Sequence, residues 1–134
     1  MREFQEDGLS YTTENLTRGT VLATGMRVAG TSAERRRGWL ETESLRPGDG
    51  LWIAPCEAVH TFGMKWPIDV LFIDRNRRVC KMAADVRPWR IAICWKADSV
   101  LELPAGVLTG SGTQIGDVLE FRPTPIKPLS ISRR

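Results

Sequence analysis

The chain of 134 residues has one histidine and only three cysteines, Cys56, Cys80 and Cys94, at wide spacings. An odd count with no Cys-x-x-Cys pair excludes a disulfide framework and fits a reducing compartment, so a cytoplasmic location is expected. The same scarcity argues against a closed zinc site, which needs four ligands at recognisable spacing; no metal and no cofactor is expected. No apolar run approaches the roughly 18 residues of a membrane span, and no membrane partner is expected. The first eight residues carry acids and no apolar run, unlike a secretory signal. Gly106, Gly110 and Gly112 are not followed by Gly-Lys-Ser/Thr, so they form no phosphate loop. The net charge of +3 is small and diffuse, and no nucleic-acid partner is expected from it.

What remains is a composition ordinary for a globular domain, 42% hydrophobic and 26% charged, at a length that suits one core. A single domain over residues 15–122 is expected, with a loose lead-in at 1–14 and a flexible tail at 123–134 marked by Pro123, Pro125 and Pro128. Short β-prone runs flank Arg18-Gly19. Arg46-Pro47-Gly48-Asp49-Gly50 has proline and glycine where a type II turn wants them. Leu51-Trp52-Ile53 reads as a buried strand stopped by Pro55. After Pro67, Ile68, Val70 and Phe72 share one strand face and Asp69, Leu71 and Ile73 the other. Asp74 to Arg77 is turn chemistry that returns the chain through Val79 to Met82. Ile91–Trp95, Val100–Leu103 and a run to Phe121 supply further strands, with Ala105 to Gly112 a turn or short helix. Thr31 and Glu34 fit a capping box closed by Gly38. The pattern predicts an α+β fold, mainly antiparallel β, barrel-like or sandwich-like, with one short helix near residues 32–38.

An ordered set of motifs then carries a resemblance. Asn15-Leu-Thr-Arg-Gly-Thr, Arg37-Gly-Trp-Leu, Gly50-Leu-Trp-Ile, Cys56-x-x-x-His60-Thr-Phe-Gly-Met64, Pro67-Ile-Asp-Val-Leu-Phe-Ile-Asp74, Pro88-Trp-Arg90, Val100-Leu-Glu-Leu-Pro-Ala-Gly106 and Gly116-Asp117 appear in sequence. Together, over about residues 15 to 121, they resemble the domain of unknown function 192 family, in its bacterial branch with a His-Thr-Phe-Gly-Met core. The chain departs at Trp39, where leucine is more usual, and around Arg77-Arg78, where a glycine commonly closes the hairpin. The resemblance implies a compact, mostly β domain with one helix and implies no activity.

The chemistry concentrates between Cys56 and Asp74. Cys56 and His60 are four apart, a spacing that suits a thiolate–imidazole pair on a helix, but Pro55 and Gly63 favour a folded loop. Asp69 faces with Leu71 and Ile73, so it is either buried and hydrogen-bonded or opens on a cavity beside His60. Met64, Trp66 and Trp52 are apolar wall or core. Arg87-Pro88-Trp89-Arg90 places one aromatic between two cations. Glu102 and Asp117 are expected to satisfy turns. The candidate ligand-binding residues are Cys56, His60, Thr61, Met64, Asp69 and Trp89, with no catalytic residue assigned. The reading is a small binding or accessory domain for an unknown small molecule or peptide. Its alternatives are a hydrolase or transferase using Cys56 or His60 with Asp69, and a purely structural interaction module.

Overall fold

The computed structural model describes residues 10–30 and 45–125. Among the described residues nine strands run in chain order as β1 (Tyr11–Asn15), β2 (Thr20–Ala29), β3 (Asp49–Ile53), β4 (Ala58–His60), β5 (Ile68–Ile73), β6 (Val79–Val86), β7 (Ile91–Ile93), β8 (Ser99–Pro104) and β9 (Leu119–Pro123). A short helix, α1 (Val107–Ser111), lies between β8 and β9. Seven strands form one sheet in the order β6-β5-β8-β3-β2-β1-β9, while β4 and β7 pair separately. All pairs are antiparallel except β2 with β3. Among the described residues no helix is long and apolar enough to cross a membrane.

The sheet curls into a half-barrel until its two edge strands meet. Arg78 bridges Val118, with Val79 N–H donating to Asp117 O at 2.9 Å and Leu119 N–H to Arg77 O at 2.9 Å. Right-handed twist accumulating over seven strands supplies that curl. The concave interior buries Leu22, Met26, Leu71, Ile73, Leu101 and Leu103, and Leu108 of α1 joins them. The convex side of the same strands holds a second core of Leu51, Ile68, Val70, Phe72 and Val100, covered by Val59 of β4 and by Met64. Strand alternation divides the two cores as the sequence pattern requires: Ile68, Val70 and Phe72 go one way, Leu71 and Ile73 the other.

The turns follow their residues. Asp49 N–H donates to Arg46 O at 3.0 Å around Pro47 and Gly48, the latter at φ 95°, as a type II turn needs. The β5–β6 hairpin closes through Asp74, whose Oδ1 accepts the Asn76 and Arg78 N–H groups. Arg77 holds the left-handed position, φ 64°, a conformation that glycine adopts without strain. Its guanidinium lies 4.6 Å from the Trp52 ring and 5.0 Å from the Phe121 ring. Cation–π contact of this kind offsets a backbone cost of about 1 kcal/mol.

Two boundaries differ from expectation. The stretch expected to be a loose lead-in contains β1 from Tyr11, and Thr124, inside the expected tail, donates its N–H to Ser10 O and its hydroxyl to Thr24 O. Polarity disguised the strand: Thr13 and Asn15 are fully buried, and Asn15 Nδ2 donates to Thr113 Oγ1 and Asp117 Oδ2. Those partners lie far along the chain. The helix expected near 32–38 falls outside the described residues; the described helix is α1, within the segment read as a turn or short helix.

Asp117, 2% exposed, is the hub of this end. Burial alone would raise its pKa, but hydrogen bonds from Arg18, Asn15 and the Gln114 N–H outweigh it and hold the carboxyl at about 2. Its stabilisation is present above the ordinary carboxylate pKa near 3.8 and is lost as pH falls towards 2. Asp117→Asn should cost about 2 kcal/mol at neutral pH. Denaturant unfolding at a series of pH values should show the parent, and not the variant, losing this contribution between pH 4 and 2.

Candidate functional site

Pro55 and Pro67 bracket a segment with only three strand residues, so its shape is set by side chains and turns. Thr61, 1% exposed, does most of that. Its hydroxyl donates to Arg87 O at 2.6 Å and accepts the Arg90 N–H at 2.9 Å. Its backbone N–H donates to Arg90 O, and its carbonyl accepts from Met64 and Trp89. Residues 61–64 and 87–90 therefore form one double loop. Gly63, at φ 83°, allows the first turn.

The β4–β7 ribbon extends from that double loop with Ala58 opposite Ile93, Val59 opposite Ala92 and His60 opposite Ile91. Alternation sends Val59, Ala92 and Cys94 inward against the convex core. The other parity faces out. Its large side chains are Ile91 at 62% exposure, Ile93 at 38% and, beyond the strand, Trp95 at 77%. At the double-loop end the His60 and Phe62 rings lie 4.8 Å apart, and Phe62 stacks on Trp89 at 5.5 Å and 26°. His60 Nδ1 accepts the Phe62 N–H at 3.3 Å, which fixes the ring beside it. At the far end Trp95 borders an open polar depression of about 440 Å³, lined also by Asp74, Arg75, Asn76, Lys96 and Asp98.

The structure divides the residues proposed from sequence. His60 and Trp89 stand on the outward face. Thr61 is the staple beneath it, and Met64 belongs to the convex core. Cys56 is half-buried, packs against that core and donates Sγ–H to Ala58 O at 3.1 Å. Asp69 lies on the opposite side of β5, within the half-barrel. Its Oδ1 accepts the Asp85 N–H at 2.8 Å, and Oδ2 accepts the Gly106 and Leu108 N–H groups at 3.0 and 2.9 Å. The donors that hold this carboxylate come from β6 and the start of α1. Asp69 thus stands on the concave side of the sheet and His60 on the outer face of the ribbon that covers the convex side.

Sequence reasoning missed Phe62, Ile91, Ile93 and Trp95 as site residues. The available signal was the alternation Ile91-Ala92-Ile93-Cys94-Trp95, large against small, which marks two unlike faces. Glu102 lies on a strand, as expected, but is fully buried within β8 opposite Leu51 and Val70 rather than at a turn. The ribbon is anchored to β6 at two points. Lys81 Nζ donates to Ile93 O at 2.7 Å, and the Cys80 and Cys94 sulfurs lie 3.6 Å apart. Burial first, then the hydrogen bond with Cys94, pushes the Cys80 thiol up to about 11, so it is protonated at neutral pH. None of the three cysteines is in a disulfide.

A carboxylate accepting three N–H groups should be harder to replace than one at a half-exposed turn. Asp69→Asn turns an acceptor oxygen into a donor against at least one N–H and should cost about 2–3 kcal/mol. Asp74→Asn should cost under about 1 kcal/mol. Unfolding free energies of the two variants check this, and equal losses would count against the role given to Asp69.

The chain is similar to known proteins in sequence and in fold. A UPF0127 protein of Thermococcus sibiricus is 29% identical over 130 residues, covering 87% of this chain and 83% of its own length. A solved protein of unknown function from Novosphingobium aromaticivorans has 25% identity and a TM-score of 0.70, over 82% of each chain. A structure from Sinorhizobium meliloti, 21% identical over 84% of this chain and 92% of its own, has a TM-score of 0.72 and shares the fold. The sequence also matches a family described as Uncharacterized ACR across residues 13–121, nearly all of the described sheet. With the half-barrel and the ordered motifs in place, the chain belongs to the domain of unknown function 192 family.

Proposed function

We propose that this domain is a binding or accessory module that docks an apolar segment of another protein on the outward face of β4 and β7. The observation that carries the reading is Trp89. It is 64% exposed and sits in the left-handed region at φ 67°. A bulky residue there costs about 1 kcal/mol or more in backbone strain, and its exposed ring returns little burial. Neither feature helps the fold, and strained, exposed aromatics gather where a partner binds. His60, Phe62, Ile91, Ile93 and Trp95 continue the surface, in a protein class where contiguous exposed apolar patches mark interaction sites. The face is broad rather than enclosed, which suits a peptide or protein surface better than a small molecule. Three cysteines, none in a disulfide, fit a reducing compartment, so the proposed location is cytoplasmic.

The test separates folding from binding with one substitution. Trp89→Gly relieves the left-handed backbone and removes the ring, and its unfolding free energy should stay within about 0.5 kcal/mol of the parent. Probing an array of peptides with both proteins should show a bound set for the parent, with signals down about tenfold or more for the variant. An identical bound set for both would refute the assignment of this face.

A further inference from the structure

Resting on that docking reading, we propose that the occupant is an acidic protein segment, its apolar side chains on the Ile91–Ile93 row and its carboxylates on the surrounding cations. The two segments that build the face, residues 58–68 and 86–97, contain Lys65, Arg87, Arg90 and Lys96 and no aspartate or glutamate. All four cations are exposed. Among the described residues, none of the four is ion-paired, whereas at the opposite side of the sheet Arg18 is paired with Asp117 and Arg122 with Glu14 and Glu120. Within these two segments the positive charge beside the apolar row meets no acid; the exposed acids Glu57, Asp85 and Asp98 flank them, and none of these forms a salt bridge with the four cations among the described residues.

Arg90 is also pre-positioned. Its Nη1 donates to Pro88 O and Trp89 O, both at 3.4 Å, which holds the guanidinium on the aromatic loop. Nε and Nη2 keep their donors, and a guanidinium is suited to a planar carboxylate. Arg87 stands on the same double loop, whose spacing Thr61 fixes through both backbones. Rim charges of this kind steer an oppositely charged partner and set its orientation, while the apolar centre supplies most of the burial.

Two other anionic partners fit less well. A single-stranded nucleic acid gains its affinity by stacking bases on open ring faces. Here the centre of the surface is two isoleucines, and Phe62 is already stacked with Trp89 and beside His60. An anionic membrane would take Trp95 and Trp89 at its interface, but Trp89 is already stacked on Phe62 and its backbone N–H donates to Thr61 O, which ties its loop down.

The test uses the full chain and four probes: a labelled peptide with leucines and phenylalanines between aspartates and glutamates, the same peptide with asparagines and glutamines, a single-stranded oligothymidine, and phosphatidylserine vesicles. Fluorescence anisotropy, with co-sedimentation for the vesicles, should rank the acidic peptide first. Its affinity should fall about tenfold in the double variant Arg87→Glu, Arg90→Glu and also on raising salt. Arg87→Gln with Arg90→Gln should give a smaller loss in the same direction, and circular dichroism should show both variants folded. Equal binding of both peptides, unmoved by charge reversal, would overturn the acidic partner and leave the docking face standing, provided Trp89→Gly still weakens both. Tighter binding of the oligonucleotide or the vesicles would overturn it in favour of that partner. No binding of any probe would overturn it as well, and the peptide array with Trp89→Gly would then decide the docking face separately.

Discussion

Every residue of β5 from Ile68 to Ile73 is buried, and that double-sided burial dictates the rest of the architecture. A strand with two apolar faces needs cover on both. The concave side obtains it from the curl of its own sheet and from α1. The convex side obtains it from a ribbon of two strands, β4 and β7, whose inner parity joins the core. A ribbon one layer thick has an outer parity that must face water. In most proteins that parity is polar; here it carries Ile91, Ile93 and, at the ends, Trp89 and Trp95.

The chemistry-bearing groups that first draw attention turn out to build the frame. Asp69 gathers three N–H groups to fix α1 over the half-barrel and to hold the left-handed turn at Asp85, φ 54°. Asp117 performs the same service where β1, β9 and the hairpin end converge. Thr61 ties two loops through one hydroxyl. Each is a buried acceptor or donor whose partners are satisfied, the condition under which polar groups stabilise rather than react. What the frame displays is the aromatic row, which has no structural duty of comparable weight. The reading of a binding module follows from this separation between the groups that hold the fold and those that stand outside it.

Much of this was legible in the residues. The even–odd split of Ile68 to Ile73, the Pro47-Gly48 turn and the Asp74 hairpin depend on local geometry, and local geometry is written locally. The same alternation put Asp69 on the face of Leu71 and Ile73 and left open whether it was buried or opened on a cavity. The partners of Asp69 were not legible, since Gly106 and Leu108 are brought to it by tertiary folding. β1 was hidden because its buried polar side chains find partners about a hundred residues away. The strand at Ile91 was legible, but which of its faces turns outward was not, for a different reason. In Ile91-Ala-Ile-Cys-Trp95 both parities are apolar, and only the shape of the convex core decides that the small residues turn in and the large ones out.

The claim that this outer face lies outside the fold is tested most directly by unfolding two matched variants. One makes the outer face polar, with Phe62→Ser, Ile91→Thr and Trp95→Ser together; the other changes only the inward Val59→Thr. The triple variant should keep an unfolding free energy within about 1 kcal/mol of the parent, as exposed substitutions do. The single inward change should lose about 1–2 kcal/mol by burying a hydroxyl in the convex core. A triple variant that lost several times as much as Val59→Thr would show the aromatic row to be part of the fold and would contradict its assignment as a docking surface.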